Sequence, residues 1–113
     1  TALLDDAEGK YRDAYRITPR PFFAASCGVP SLIESFPGLD AFFQPGSEIA
    51  TYDSAEAAAA RAEELAANET ARAAMGRRAR ARALREHTWD RRVESFVMDL
   101  KAWRQLPRPN TSR

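Results

Sequence analysis

Pro30 and Pro37 bracket the run Ser31-Leu32-Ile33-Glu34, and this bracket restricts the chain more than any other feature. Pro30 blocks continuation of a helix, because it has no N–H and its ring clashes with the preceding turn. The run after it is short and mostly apolar, as expected of a central parallel strand. Upstream, Pro21 can open a helix, where its missing N–H would be unpaired anyway. Phe22, Phe23, Ala24, Ala25 and Cys27 then make a short apolar helix. Gly28 ends it, because glycine takes a left-handed C-cap at little cost. Downstream, Ser35-Phe36-Pro37-Gly38 is a turn into a second short helix at 39–43. Gln44-Pro45-Gly46 turns the chain again, and 48–52 is the next strand candidate. A strand that feeds a glycine-containing turn and a helix start is where open α/β sheets hold anionic ligands.

The predicted fold is therefore α/β, a Rossmann-like half-domain with a short parallel sheet and three C-terminal helices. A right-handed crossover through 39–43 joins the two strands. The rival is an all-helical bundle, because the second half of the chain reads as helix throughout.

With 113 residues, the chain makes one domain. Its 17 Lys+Arg nearly balance 16 Asp+Glu, so overall charge points to neither nucleic acid nor a membrane surface. The hydrophobic fraction of 44% is globular, yet much of it is alanine, which buries little area per residue. The expected core is Phe22, Phe23, Leu32, Ile33, Phe36, Phe42, Phe43, Ile49, Trp89, Phe96, Leu100 and Trp103. The single cysteine, Cys27, excludes an intrachain disulfide and fits a reducing cytoplasm. No apolar run reaches the length of a membrane span.

Ala2-Leu3-Leu4 reads as the end of a strand, and 5–16 as loop or weak helix. From Asp53 the pattern is helical. Asp53 and Glu56 have capping-box spacing, and Asn68 caps the next helix with Glu69 in its first turn. That helix runs to Glu86, and Thr88 caps a third. In the third, Trp89, Val93, Phe96, Val97, Leu100 and Trp103 recur at three- and four-residue steps and share one face. Residues 1–17 are taken as strand end and loop, 18–104 as the folded unit, and 105–113 as a disordered tail.

Several of these elements occur together in one known family. TPRPFFAASCG, then Glu34 and Phe36, PGLDAFF (37–43), PGSEI (45–49) and EHTWDRR (86–92) stand in this order. The segment resembles the C-terminal part of GT-B glycosyltransferases, and most closely the CgeB-like spore-protein group related to the retaining family 4. The likeness spans roughly 18–103. It implies a bacterial-type chain whose fold is the latter half of a donor-binding domain. The co-substrate would be a nucleotide-diphosphate sugar, with no separate cofactor, and the site would comprise Thr18, Arg20, Phe23, Glu34, Phe36, Pro37 and Gly38. It also implies an acceptor domain and a first donor half-domain beyond these residues, with the last helix packing across to the other domain. Phe23 stands where the family's glutamate grips the donor ribose, and a phenyl ring cannot accept that hydrogen bond. A second family glutamate would fall on Tyr15. The alternative function is a non-catalytic, glycosyltransferase-like interaction module.

Each candidate also has an ordinary structural reading. Pro37-Gly38 either holds a phosphate or is a plain turn. Arg20 either reaches a phosphate or is a solvated residue ahead of a helix. Glu34 either binds a sugar hydroxyl or serves as a turn acid. His87 has no acid partner at catalytic spacing and reads as structural, and Cys27 as packing. No metal-ligand spacing is present. The arginines of 72–92 read as a salt-bridged helix face paired with Glu56, Glu63, Glu64 and Glu69, not as a nucleic-acid surface. Trp89, Phe96, Leu100 and Trp103 would hold a second copy or the missing N-terminal half, since an open sheet edge and an uncovered apolar face both invite a partner.

Overall fold

The structure is a computed structural model that describes residues 17–107, together with the backbone of 3–5. The expected loop at 6–16, including Tyr15, and the tail beyond 107 lie outside the described residues.

Three short strands form one parallel sheet in the order β1-β2-β3: β1 Leu3–Asp5, β2 Ser31–Glu34 and β3 Ala50–Tyr52. Leu4 pairs with Leu32, Leu32 with Ala50, and Glu34 with Tyr52. The bracketed run is thus the central strand, with Ser31, Leu32 and Ile33 buried, and the all-helical alternative is excluded. β3 is shorter than the expected 48–52. The chain closes a turn before it, where Gly46 (φ 83°) donates its N–H to Ile49 O at 2.8 Å and Pro45 bridges Ile49.

Helix α1 spans Arg20–Ser26. Gly28 follows with φ 72°, the left-handed conformation expected of it, and Val29 N–H closes onto Ala24 O at 2.8 Å. The link between β2 and β3 holds only a three-residue 3-10 turn, Leu39–Ala41, where a short helix over 39–43 was expected. Its buried Leu39 and the following Phe43 plug the sheet, with Ala25, Ile33, Ile49, Ala79 and Ala83 around them. Leu32, Ala50 and Met75 form a smaller second cluster.

Helices α2 (Ala55–Ala67), α3 (Glu69–Glu86) and α4 (Trp89–Gln105) complete the chain. Ser54, not Asp53, caps α2 by accepting from Ala57 N–H at 3.1 Å. A serine in extended backbone directly before the helix meets the geometry. Asn68 and Thr88 cap α3 and α4 as expected.

The arginines of α3 depart from expectation. They do not pair with Glu56, Glu63, Glu64 or Glu69, although ion pairs do line the face, Arg82 and Arg85 with Glu86 and Arg91 with Glu94. Arg72 donates to Leu65 O, at the carboxyl end of α2, at 2.9 Å. Arg78 donates to Ser47 O at 2.8 Å and Arg80 to Ser26 O at 3.1 Å. Arg82 is the hub, reaching Glu86, Glu48 and Ala41 O at 2.7, 3.1 and 3.1 Å. Glu48 in turn accepts from Gln44 N–H at 2.6 Å. The helix ties down loops by bonding their carbonyls, which arginine does well because its planar fork offers five donors.

Two further expectations are corrected. Cys27 is exposed, at the C-cap position where α1 ends. All of α4 is exposed, so Trp89, Phe96, Leu100 and Trp103 contribute nothing to the core. The helix leaves the body at Thr88 and projects, giving extents of 63 × 29 × 17 Å.

Candidate functional site

Because all three strands are parallel, their carboxyl ends share one edge of the sheet, and that edge collects most of the expected site. Glu34 closes β2 beside Tyr52 of β3, and Ser35 N–H extends the ladder to Tyr52 O at 2.8 Å. Phe36, Pro37 and Gly38 follow. Phe36 is half-buried against the core, whereas Pro37 and Gly38 are exposed. Gly38 has φ 93°, a backbone conformation that residues with side chains rarely adopt. The N–H groups of Leu39 and Ala41 are taken by Phe36 O and Gly38 O, at 3.3 and 3.1 Å.

Helix α1 brings the remaining candidates. Only four residues, 27–30, link its end to the start of β2, and α1 packs on β1 and β2. Its last turn therefore lies at the amino end of β2, and its first turn, with Arg20, runs towards the carboxyl edge. Glu34, Phe36, Pro37 and Gly38 thus stand in sequence at the carboxyl end of β2, and Thr18 and Arg20 at the start of the segment that enters α1. Phe23 sits one turn further along α1 and is 69% exposed. Three residues beyond Arg20, it shares that residue's helical face. Among the described residues, no group of three or more His, Cys, Asp or Glu could hold a metal ion.

A second cluster lies at the foot of α4, where sequence reasoning had found only a structural histidine. His87 Nε2 lies 2.6 Å from Phe42 O, and its Nδ1 lies 3.1 Å from Arg92 Nη2. A carbonyl can only accept and a guanidinium can only donate, so the ring is the neutral tautomer with its proton on Nε2. Phe22, Phe42 and Phe43 surround it, the rings of Phe22 and Phe43 at 5.1 and 5.2 Å. Arg92 lies over both Phe22 and Phe42, at 5.7 and 5.8 Å from their centroids. This arrangement is a joint, not a catalytic pair. Its legible sequence signal was the EHTWDRR string, which contains both His87 and Arg92.

Burial pushes the His87 pKa below its usual value. Arg92 and Arg82 act in the same direction, and the Phe42 carbonyl and Glu86 oppose them. A histidine that resists protonation when folded makes the unfolded state the better proton acceptor. Stability is therefore complete above about pH 6.5, falls as the pH drops from there, and levels off below the folded pKa. Urea midpoints measured between pH 7.5 and 5 should decline, and His87→Gln should flatten this part of the profile. An equally steep decline in the variant would remove His87 as its cause.

The family model described as glycosyl transferase-like matches residues 8–98. Comparison with curated proteins and with solved structures gave no match. No helix among the described residues is long and apolar enough to cross a membrane.

Proposed function

The chain belongs to the glycosyl transferase-like family, and we propose that it is the part of a GT-B transferase that binds the nucleotide-sugar donor. The observation that carries this reading is the position of Glu34 and the left-handed Gly38 turn at the carboxyl edge of a parallel sheet, where such folds bind nucleotides. Arg20 would meet the diphosphate with a charge-assisted hydrogen bond. Glu34, at the strand end, would accept from sugar hydroxyls. The left-handed Gly38 would let the backbone approach the ligand, since no Cβ stands in the way. Phe23 offers a flat, exposed ring in place of an acceptor, so the ribose would be packed against rather than gripped. Transfer then takes this part together with the acceptor domain and first donor half-domain that the GT-B plan requires. Cys27 as the sole cysteine agrees with a cytoplasmic setting.

Titration calorimetry with uridine, guanosine and thymidine diphosphate sugars tests the reading. One of the panel should bind saturably. Arg20→Ala should weaken that binding about tenfold or more, the usual loss when a charged hydrogen bond is removed. No heat from any donor would instead favour the non-catalytic interaction module.

A further inference from the structure

Helix α4 is held at its first turn. Every one of its residues is exposed, and only His87 and Thr88 separate it from the end of α3. The side chain that reaches back from it is Arg92. Its guanidinium lies over Phe22 of α1 and Phe42 of the β2–β3 link. It also donates to His87 Nδ1 at 3.1 Å, while Nε2 of the same ring donates to Phe42 O at 2.6 Å. The orientation of α4 therefore depends on a hydrogen bond whose acceptor is a titratable nitrogen.

We propose that His87 is an acid-sensitive latch: a proton on its Nδ1 expels Arg92 and frees α4 to swing about the His87-Thr88 link. In the neutral ring, Nδ1 has one lone pair, and the guanidinium proton occupies it. Once protonated, Nδ1 is a donor that faces a donor. The guanidinium keeps its charge throughout, so attraction becomes repulsion between like charges. Nε2 carries a proton in both states, and its bond to the Phe42 carbonyl strengthens when the ring is charged. The ring, packed among Phe22, Phe42 and Phe43, therefore stays. Arg92 is exposed and has a flexible stem, so it is the group that leaves.

The charges that act on the ring come from the two helices it joins, Arg82 and Glu86 on α3 and Arg92 on α4. Helix α1 and the 39–43 link present phenyl rings and the Phe42 carbonyl. Glu86 is the one acid of this set, and Arg82 already holds its carboxylate at 2.7 Å, so it does not replace Arg92 as a partner for the new proton. Burial and both arginines keep the ring neutral at pH 7 and set the response on the acid side of the usual histidine value. The latch does not involve the carboxyl edge of the sheet, so it stands or falls separately from donor binding.

Spin-label distances test the latch. Cys27 is the single cysteine and is exposed at the end of α1, and Trp103→Cys places a second label towards the far end of α4. Pulsed electron paramagnetic resonance gives the distance distribution between the two nitroxides from pH 7.5 to 4.5. His87 is the single histidine, so its Hε1 proton resonance reports its titration over the same range without ambiguity. The distribution should be narrow at pH 7.5 and at least double in width in acid, with the midpoint of His87 itself. Far-UV circular dichroism should stay constant across that step, because α4 swings without unfolding. Arg92→Ala in the same labelled chain should be wide already at pH 7.5, and acid should widen it no further. A width that stays constant while His87 titrates overturns the proposal. So does a midpoint apart from that of His87, a narrow distribution in Arg92→Ala, or unfolding of the chain before His87 takes up its proton.

Discussion

Gly76→Ala should unfold this protein more readily than any other single-methyl change, although alanine favours helix over glycine by about 1 kcal/mol. Gly76 lies mid-way along α3, against the turn that ends α1. A Cβ there would sit 2.0 Å from Gly28 O and 2.9 Å from Gly28 C, with Pro30 Cδ at 3.3 Å. These atoms cannot swing aside. Gly28 is held at φ 72° and donates to Ala25 O, and the next residue closes onto Ala24 O. Pro30 is itself buried and leads directly into β2. Relief therefore requires α3 to separate from α1, which opens the larger hydrophobic cluster through Ala25, Ala79 and Ala83. Overpacking costs about 1–3 kcal/mol where side chains can give. Here backbone must give, and we expect about 3 kcal/mol. A thermal melt followed by circular dichroism should drop by roughly 10–20 °C for a domain of this size. A melt at or above the wild-type temperature would mean that helix preference had won and that the contact is slack.

The second large effect is expected at Phe43. It is 1% exposed and is among the largest fully buried side chains. Its ring packs 5.4 Å from Phe22 and 5.2 Å from His87, so it supports both the sheet and the foot of α4. Phe43→Ala should cost about 3–5 kcal/mol, the usual loss for a buried phenylalanine whose cavity does not collapse. Urea unfolding should show the midpoint moved and the slope unchanged. A loss below about 1 kcal/mol would show that the neighbouring rings refill the space. Phe23→Ala is the useful contrast. Its ring is largely in solvent, so stability should hardly change, and any effect should appear in ligand binding.

The contrast between these two phenylalanines shows how far the sequence could be read. Local backbone signals were legible because they act through residues that admit few conformations. Gly28, Pro30, Asn68 and Thr88 mark boundaries found where expected. The central strand was legible because it is short, apolar and bounded by prolines. What the sequence left open depends on which face meets which. Phe22 and Phe23 are adjacent and chemically identical, yet one joins the aromatic cluster and the other faces water. Ser54 displaced Asp53 as a cap because one residue of register decides which side chain meets the free N–H groups. The partners of Arg78, Arg80 and Arg82 lie 31, 54 and 34 residues away, and no local pattern announces them. Gly76 did leave a trace, since a glycine inside a helix usually marks close packing. At the carboxyl edge, the parallel pairing of β2 with β3 and the Gly38 turn could be anticipated. Phe23 and Arg20 sharing a face of α1 followed only once the helix had been placed.

The joint of His87, Arg92 and the three phenylalanines gives α4 mechanical leverage. A 17-residue helix is about 25 Å long, and it is held at one end. A change at the joint that tilts the helix by 10° carries Trp103 sideways through about 4 Å, about one carbon–carbon contact distance. Small repacking beside Phe22, of the size that one side-chain rotation produces, is therefore enough to bring the far tryptophan into contact with a neighbouring surface or to take it out of contact.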